Sequence, residues 1–236
     1  MKHRIITSAQ SAALLAYLDQ SVLDKAFVSD KNQWIIYQGQ ESVLQFRLPI
    51  TFELDPSGIY QGEGDVNYVL LMIRSGIASL GYFEGGDNLD HKVFRAYMVR
   101  KKQGTSQIKH LKTKGKSRAG SRVRLAETLE FFEEINLRMQ EYFAVHRIDK
   151  ICISCATTLI PYLFGSKMET PFDKSDPRIM KIPKHVQNPT YEAMLEVNDF
   201  LQKGELRSSD AGDQLFDQFI EQISEQPDVD VDKDDW

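Results

Sequence analysis

The sequence has few of the features that mark secreted or membrane proteins. Its 236 residues include only two cysteines, so the chain is not a disulfide scaffold, and a reducing, cytoplasmic setting is the expectation. No apolar run reaches the roughly 18 residues that a membrane-spanning helix needs. The apolar stretch near the N-terminus is too short and too polar for a secretory signal. We therefore expect neither a membrane span nor a membrane partner.

Acidic residues are missing from one segment of an otherwise acidic chain. Residues 100–124 contain ten Lys or Arg and no Asp or Glu. The formal net charge of the whole chain is -5, and the remaining 19 basic and 34 acidic residues carry -15. Such a local basic footprint is typical of contact with a phosphate backbone. The segment has no Phe, Tyr or Trp, so base stacking is not the mode of binding that it offers.

Hydrophobic periodicity predicts an α/β (α+β) fold in which helices flank a mixed sheet. Apolar positions at helical spacing indicate a first helix over residues 8–25 and a longer one over residues 125–142. The nearly uninterrupted apolar run over residues 66–73 indicates a central strand that is buried on both faces. The strands predicted by apolar or alternating runs cover residues 34–37, 42–48, 66–73, 76–83, 92–99, 150–156 and 178–182.

The predicted organisation is one domain over residues 1–205, followed by an acidic and partly disordered tail over residues 206–236. Within the domain, the Gly and Ser content of residues 100–124 indicates a mobile basic loop. A short helix is expected over residues 159–164, and another starts with Asn188 as its cap and Pro189 at its first position, ending before Gly204. In the tail, residues 215–223 favour an amphipathic helix.

The remaining candidate sites have simpler interpretations. Cys152 and Cys155 form a Cys-x-x-Cys pair, but zinc would need two further ligands, and the chain has no second cysteine pair. We interpret them as buried strand thiols, and we expect no metal and no cofactor. His110 has no carboxylate near it in sequence to orient its ring, which favours a contact with phosphate over general-base catalysis.

The basic segment carries a recognisable motif. Lys102-Gln103-Gly104-Thr105-Ser106-Gln107 is followed by a Lys/Gly/Ser-rich stretch and by Ala119-Gly120-Ser121 before the long helix. Together these features resemble the release-factor-like domain of the peptidyl-tRNA hydrolases of ribosome quality control. The Gly-x-x-Gln pattern is a variant of the Gly-Gly-Gln loop of class I translation release factors. The preceding strand is also similar, in His91-Lys92-Val93-Phe94, Tyr97 and Arg100, and the resemblance covers about residues 66–164.

The resemblance implies a fold similar to the catalytic domain of eukaryotic and archaeal class I release factors. It also implies that the partners are a large ribosomal subunit and the peptidyl-tRNA of a stalled nascent chain. We expect the protein to be a monomer. Gln107 would be the catalytic residue, supported by Gly104 and Ser106. Glutamine is a poor base, so it would orient either a water toward the ester or a ribose 2′-hydroxyl toward the adjacent phosphate.

The two routes differ in their products. The first hydrolyses the ester, and the second cleaves the tRNA near its 3′ end. In both, the basic residues would hold tRNA and ribosomal RNA, and in the second they would stabilise the charge of a developing phosphorane. These RNA-binding candidates are Arg95, Arg100, Lys101, Lys102, Lys109, His110, Lys112, Lys114, Lys116, Arg118, Arg122 and Arg124.

One residue of the approach strand departs from the family pattern. The family carries an Arg directly before the Tyr that corresponds to Tyr97, where this chain has Ala96 and places Arg95 one residue earlier. Successive strand residues face opposite sides, so Arg95 and Ala96 are expected on opposite faces. Two alternatives to catalysis stay open: a non-catalytic ribosome- or RNA-binding factor that uses the basic loop, and an interaction module for an acidic protein.

Overall fold

A computed structural model describes residues 1–54, 60–96 and 116–225, with the backbone alone for Tyr60, Glu63 and residues 116–126 and 222–225. The chain divides into two compact units, Met1–Gly62 with Leu201–Trp236, and Glu63–Phe200. The sequence-based prediction of one domain over residues 1–205 groups the residues differently. The difference arises because the last strand pairs with the first, and this long-range pairing leaves no local signal in the sequence.

The first unit contains an antiparallel five-stranded sheet. In spatial order, with elements numbered along the chain, its strands are β1 (Lys2–Ile6), β12 (Gly204–Ser208), β4 (Glu41–Arg47), β3 (Gln33–Gln38) and β2 (Asp24–Val28). The predicted strands 34–37 and 42–48 are confirmed as β3 and β4. Helices α1 (Ser8–Gln20) and α5 (Asp210–Glu225) bury Leu14, Leu18 and Phe219 in the core of this unit.

Helix α1 is shorter than predicted. Its first turn is fixed by a capping box, in which the Gln10 N–H donates to Thr7 Oγ1 (3.2 Å) and the Thr7 N–H donates to Gln10 Oε1 (3.0 Å). At the other end, Ser21 has an extended backbone and donates from its hydroxyl to the Leu18 carbonyl (2.8 Å). The prediction that the helix continues to residue 25 is wrong, because Lys25 pairs with Ile36 as part of β2.

The end of the described chain is more ordered than the predicted tail. The predicted boundary between residues 205 and 206 falls inside β12, which pairs with β1 on one side and β4 on the other. Helix α5 then packs closely on β4, since a Cβ added at Gly212 would lie 2.0 Å from the Val43 carbonyl oxygen. The amphipathic helix predicted over residues 215–223 is confirmed within a longer helix. Residues 226–236 lie outside the described residues.

The second unit contains the mixed sheet that the sequence predicts. In spatial order its strands are β11 (Ile179–Lys181), β10 (Lys150–Cys155), β7 (Asn67–Arg74), β8 (Ile77–Glu84) and β9 (Asp87–Arg95). The pairs of β10 with β11 and β7 are parallel, whereas β7, β8 and β9 form an antiparallel meander. The central strand is confirmed as β7, in which Tyr68 to Ile73 are all fully buried.

Two helices cover the two faces of this sheet. On one face α2 (Lys116–Val145) buries Phe132, Ile135 and Met139 against residues such as Leu71 and Leu80. On the other face α4 (Tyr191–Leu201) is fixed by Asn198, which accepts a hydrogen bond from Tyr68 Oη and donates to the Gly86 carbonyl (2.8 Å). A short helix, α3 (Ile160–Phe164), connects β10 and β11 in a parallel β–α–β arrangement.

The start and stop predicted for α4 are both wrong by a few residues. The helix begins at Tyr191, and its cap is Thr190, whose hydroxyl accepts a hydrogen bond from the Ala193 N–H (3.3 Å). The helix ends at Leu201, and Gly204 opens β12 instead of ending the helix. The sequence analysis also did not predict the short pair β5 (Phe52–Leu54) and β6 (Tyr60–Glu63).

Among the described residues, no helix has the length and apolar character that crossing a membrane requires.

A buried ion pair joins β4 to β12 in the first unit. The Arg47 and Glu205 side chains are each 5% exposed, and Arg47 Nε donates to Glu205 Oε2 (3.1 Å). Arg47 also donates to the carbonyls of Leu48 (3.2 Å) and Lys203 (3.0 Å), and Arg207 donates to the other carboxylate oxygen (2.8 Å). Burial by itself raises the pKa of Glu205, but the bonds from Arg207 and Arg47 outweigh it and hold the pKa below its usual value.

We predict that Arg47→Met destabilises the protein by about 3–5 kcal/mol, because it removes the buried cation that pairs with the buried Glu205 carboxylate. Urea unfolding measures this loss. Arg207→Met is the matched control: it removes a half-exposed partner of the same carboxylate and should cost about 1 kcal/mol or less.

The difference between the Arg47→Met variant and the wild type should shrink as the pH falls below about 4, where Glu205 becomes protonated in the unfolded chain. Equal losses of unfolding free energy in the Arg47 and Arg207 variants at neutral pH would contradict the special importance of the buried pair between Arg47 and Glu205.

Candidate nucleic-acid interface

Two ordered elements border the motif-bearing segment. Strand β9 directly precedes the segment. It is paired with β8 along its length, from Asp87 opposite Glu84 to Arg95 opposite Ile77. The pairing continues one residue further, since the Ala96 N–H donates to the Gly76 carbonyl (2.9 Å). Helix α2 directly follows the segment. At about 1.5 Å per residue, its 30 residues extend about 45 Å. Residues 97–115 therefore connect two elements whose packed parts belong to one core.

The helix begins earlier than the sequence predicts. It was expected from residue 125, with the basic loop reaching residue 124, but the backbone is helical from Lys116 onward. Residues 116–124 include Ala, Arg and Lys, which are good helix formers, and a single Gly inside a helix costs only about 1 kcal/mol. The candidates Lys116, Arg118, Arg122 and Arg124 therefore lie on helical backbone and not in a loop.

Most of the predicted site lies outside the described residues. This applies to the three residues assigned to catalysis, Gly104, Ser106 and Gln107. It also applies to the basic candidates Arg100, Lys101, Lys102, Lys109, His110, Lys112 and Lys114, and to Tyr97. Their predicted roles stay predictions.

Arg95 and Ala96 are described, and they face opposite sides of the sheet. Phe94 is 2% exposed and belongs to the core beneath α2, and Ala96 packs against the same core. Arg95 lies between them in sequence, points to the other face and is exposed. The side of the sheet on which the resemblance places an arginine is thus occupied here by the methyl group of Ala96. Arg95 cannot take that place without a change in the register of β9.

A polar cluster ties α2 directly to β9. Arg138 of α2 forms an ion pair with Asp90 of β9 and a second one with Glu141 (2.6 Å). The Arg138 guanidinium also lies over the Tyr142 ring, 4.9 Å from its centroid. The bond to Glu141 is the main reason why the pKa of Arg138 is raised. This cluster was not found in the sequence, because 48 residues separate Arg138 from Asp90 and only the register of β9 brings them together.

Aromatic rings extend the same cluster to β8. The Tyr82 ring stacks on His146 at a centroid distance of 3.9 Å, and the Tyr82 hydroxyl donates to Glu84 (2.6 Å). Burial, followed by that hydrogen bond, raises the pKa of Tyr82. Burial and the nearby Asp90 carboxylate raise the pKa of Tyr142 to about 12. Both hydroxyls are therefore protonated near neutral pH, and we interpret the cluster as a structural clamp that joins α2 to β8 and β9.

The cysteine pair has the environment of strand thiols. Both residues lie on β10, where Cys152 is fully buried and Cys155 is half-buried. Burial raises the pKa of Cys155 to about 11, which keeps it a thiol and not a reactive thiolate at neutral pH. Within the part of the chain that the structure describes, no group of three or more His, Cys, Asp or Glu side chains has metal-binding geometry.

We predict that Arg138→Gln lowers the free energy of unfolding by about 1 kcal/mol, through loss of the Asp90 pair and of the contact with the Tyr142 ring. Denaturant unfolding measures the change. Glu141→Gln is the control, since it removes only the partner within the same helix and should cost less than about 0.5 kcal/mol. An effect of Glu141→Gln as large as that of Arg138→Gln would show that the contact between α2 and β9 contributes little.

A family of known proteins matches most of the second unit and the strand that follows it. The family model of the Bacteroidetes VLRF1 release factor, bVLRF1, matches residues 68–209. The tRNA endonuclease ANKZF1 of Bos taurus is 27% identical over 144 residues, and the human protein of that name is 26% identical over 145 residues. Each alignment covers 58% of this chain and 19% of the relative, so the chain spans about a fifth of the length of these curated relatives.

A solved structure described as the Vms1 mitochondrial localization core aligns with 56% of this chain and 55% of its own, at 17% identity and a TM-score of 0.35. The family match begins in β7 and ends just after β12. It therefore contains β9, the segment with Gly104 to Gln107, and α2. Since the match covers more than half of the 236 residues, the chain belongs to the Bacteroidetes VLRF1 release factor family.

Proposed function

We propose that the protein releases nascent chains from peptidyl-tRNA on stalled large ribosomal subunits, with Gln107 at the reacting centre. One observation carries the proposal: the family match to a release factor spans the segment in which Gly104-Thr105-Ser106-Gln107 resembles the Gly-Gly-Gln loop. The relatives named tRNA endonucleases support an enzyme that acts on tRNA and breaks a bond with water or a hydroxyl.

The described elements support a presentation role for residues 97–115. Strand β9 and helix α2 share one buried core and are joined by the pair between Arg138 and Asp90. A segment held at both ends loses less entropy when it binds than a free tail would. The ten basic residues between 100 and 124 then supply the charge for tRNA and ribosomal RNA, and the neutral Gln107 side chain positions the attacking oxygen.

Of the two release reactions, we propose ester hydrolysis. In this reaction Gln107 orients a water toward the ester carbonyl that links the peptide to the terminal ribose. The oxygen of that water bonds to the carbonyl carbon, and the ribose oxygen leaves with a proton. Cleavage of the tRNA would place extra negative charge on a phosphorus centre, and we take the arginine at the family position of Ala96 as the cation that would stabilise it. Position 96, where the family carries an arginine, holds an alanine that packs in the core.

We predict that Gln107→Ala lowers the rate of peptide release from purified stalled complexes by about 100-fold or more, because removal of a single positioning or charge-stabilising group commonly costs that much. Binding to the large subunit should stay within a factor of two, since the substitution removes no charge. Gln103→Ala is the matched control: it is the same change four residues earlier in the same segment, and it should leave release nearly unchanged.

The state of the tRNA after the reaction separates the two routes. Ester hydrolysis leaves a tRNA with an intact 3′ end that can be aminoacylated again, whereas cleavage leaves a shortened tRNA. If Gln107→Ala released peptide at the wild-type rate, the proposed catalytic role of Gln107 would be wrong. A shortened tRNA would keep the release function and overturn the ester route. Binding without any release by the wild type would identify a non-catalytic ribosome-binding factor.

A further inference from the structure

Two arginines lie on the same face of the mixed sheet, two strands apart. They are at the end of the sheet where β9 leads into residues 97–115. Arg74 is the last residue of β7, and Arg95 is the last residue of β9. Both lie directly opposite Ile77 of β8, which separates them. Residues that are directly opposite in antiparallel strands project from the same face. With about 4.8 Å between strands, the two Cα atoms are about 10 Å apart.

Neither guanidinium has a carboxylate partner among the described residues. Arg74 is half-buried, and its bonds go to uncharged acceptors: the Ile73 carbonyl (2.9 Å), the Ser154 carbonyl (3.4 Å) and Ser154 Oγ (3.2 Å). Arg95 is exposed and makes no hydrogen bond or ion pair within the described part of the chain. Other arginines of the same unit behave differently, since Arg147 pairs with Asp149 (3.0 Å) and Arg178 with Asp176 (2.7 Å).

The bonds of Arg74 hold its side chain in place without neutralising it. A guanidinium has five N–H donors, and the three bonds of Arg74 leave two for a ligand. The Ser154 hydroxyl that fixes Arg74 belongs to a residue only 8% exposed on the neighbouring strand β10. A cation that is already ordered pays less entropy on binding an anion than a free surface lysine does. Arg95, on the same face of the sheet two strands away, adds a second guanidinium with forked N–H donors.

We propose that Arg74 and Arg95 form a paired phosphate site for one stretch of RNA backbone, next to the basic segment of residues 100–124. The site rests on the proposed function, because it takes RNA as the anion. An RNA strand is favoured over an acidic protein because the pair lies where β9 leads into ten further Lys and Arg without an intervening Asp or Glu. Forked guanidinium donors also match the geometry of phosphate oxygens. The sequence predicts contact with RNA for Arg95, but it contains no such indication for Arg74.

The test compares Arg74→Gln, Arg95→Gln and the double variant with the wild type in binding to purified large ribosomal subunits and to deacylated tRNA at several KCl concentrations. We expect each single variant to bind several-fold more weakly. The slope of log K against log salt should become shallower by about 0.7–0.9 for each phosphate contact that is lost. Arg147→Gln is the matched control, because it removes an arginine from the same unit that is already paired with an aspartate.

A second comparison separates charge from structure. Ser154→Ala removes a bond that holds Arg74 but leaves the charge, so it should change affinity less than Arg74→Gln and keep the wild-type slope. Arg74→Lys should restore the slope and part of the affinity. The proposed phosphate site would be contradicted if Ser154→Ala weakened binding as much as Arg74→Gln does. It would also be contradicted if Arg74→Gln kept the wild-type salt slope.

Failure of this site can be told apart from failure of the proposed function. Wild-type slopes in both arginine variants, together with loss of release in Gln107→Ala, would remove the phosphate site and leave the function standing. Salt-independent binding of the wild type to subunits and to tRNA would contradict both. Binding of the wild type to acidic polypeptides alone, abolished in the double variant, would replace RNA by an acidic protein and contradict both as well.

Discussion

The burial of β7 on both faces is the constraint on which the second unit depends. Every residue from Tyr68 to Ile73 is inaccessible to solvent, with α2 covering one face of the sheet and α4 the other. Each large apolar side chain buried in this way contributes roughly 1.5–3 kcal/mol. Because β8 and β9 extend the sheet from β7 by direct pairing, the burial of β7 also fixes the position at which β9 ends. The same core holds α2 through Phe132, Ile135 and Met139.

The distribution of charge follows from that arrangement. In the described residues of the second unit, most arginines pair with carboxylates, as Arg138, Arg147 and Arg178 do. Arg74 and Arg95, at one end of the sheet, have no carboxylate partner among the described residues, and ten Lys and Arg follow in residues 100–124. In an otherwise acidic protein, such a local concentration of positive charge favours the approach of a polyanion at that place.

The sequence predicted the parts of the fold whose signals are local. The apolar run of β7, the hairpin to β8 and the long stripe of α2 lie within single segments, and all three are confirmed. Strands β1 and β12 escaped prediction because they are short and polar and pair with each other across about 200 residues. The ends of α1 and α4 were misplaced because Ser21 and Thr190, both weak signals among many serines and threonines, determine them.

The candidate site, too, has parts with a local signal in the sequence and parts without one. Its motif is contiguous, so the charge composition indicates the basic residues and a resemblance indicates Gly104 to Gln107. The opposite orientations of Arg95 and Ala96 follow from strand alternation and were predicted too, and the structure confirms them. The pair of Arg74 with Arg95 and the clamp of Arg138 on Asp90 depend on strand register. One sequence contains no record of which residues of distant strands lie opposite each other.

The central claim is that a fixed strand and a fixed helix present Gln107 to a peptidyl-tRNA ester. Its most direct test is a single-turnover reaction of the wild-type protein, in excess, with purified large subunits that carry a labelled nascent peptide on tRNA. The account predicts that free peptide and full-length tRNA appear together, in equal amounts and at the same rate. Peptide that stays attached to tRNA while the protein saturates the subunits would contradict it.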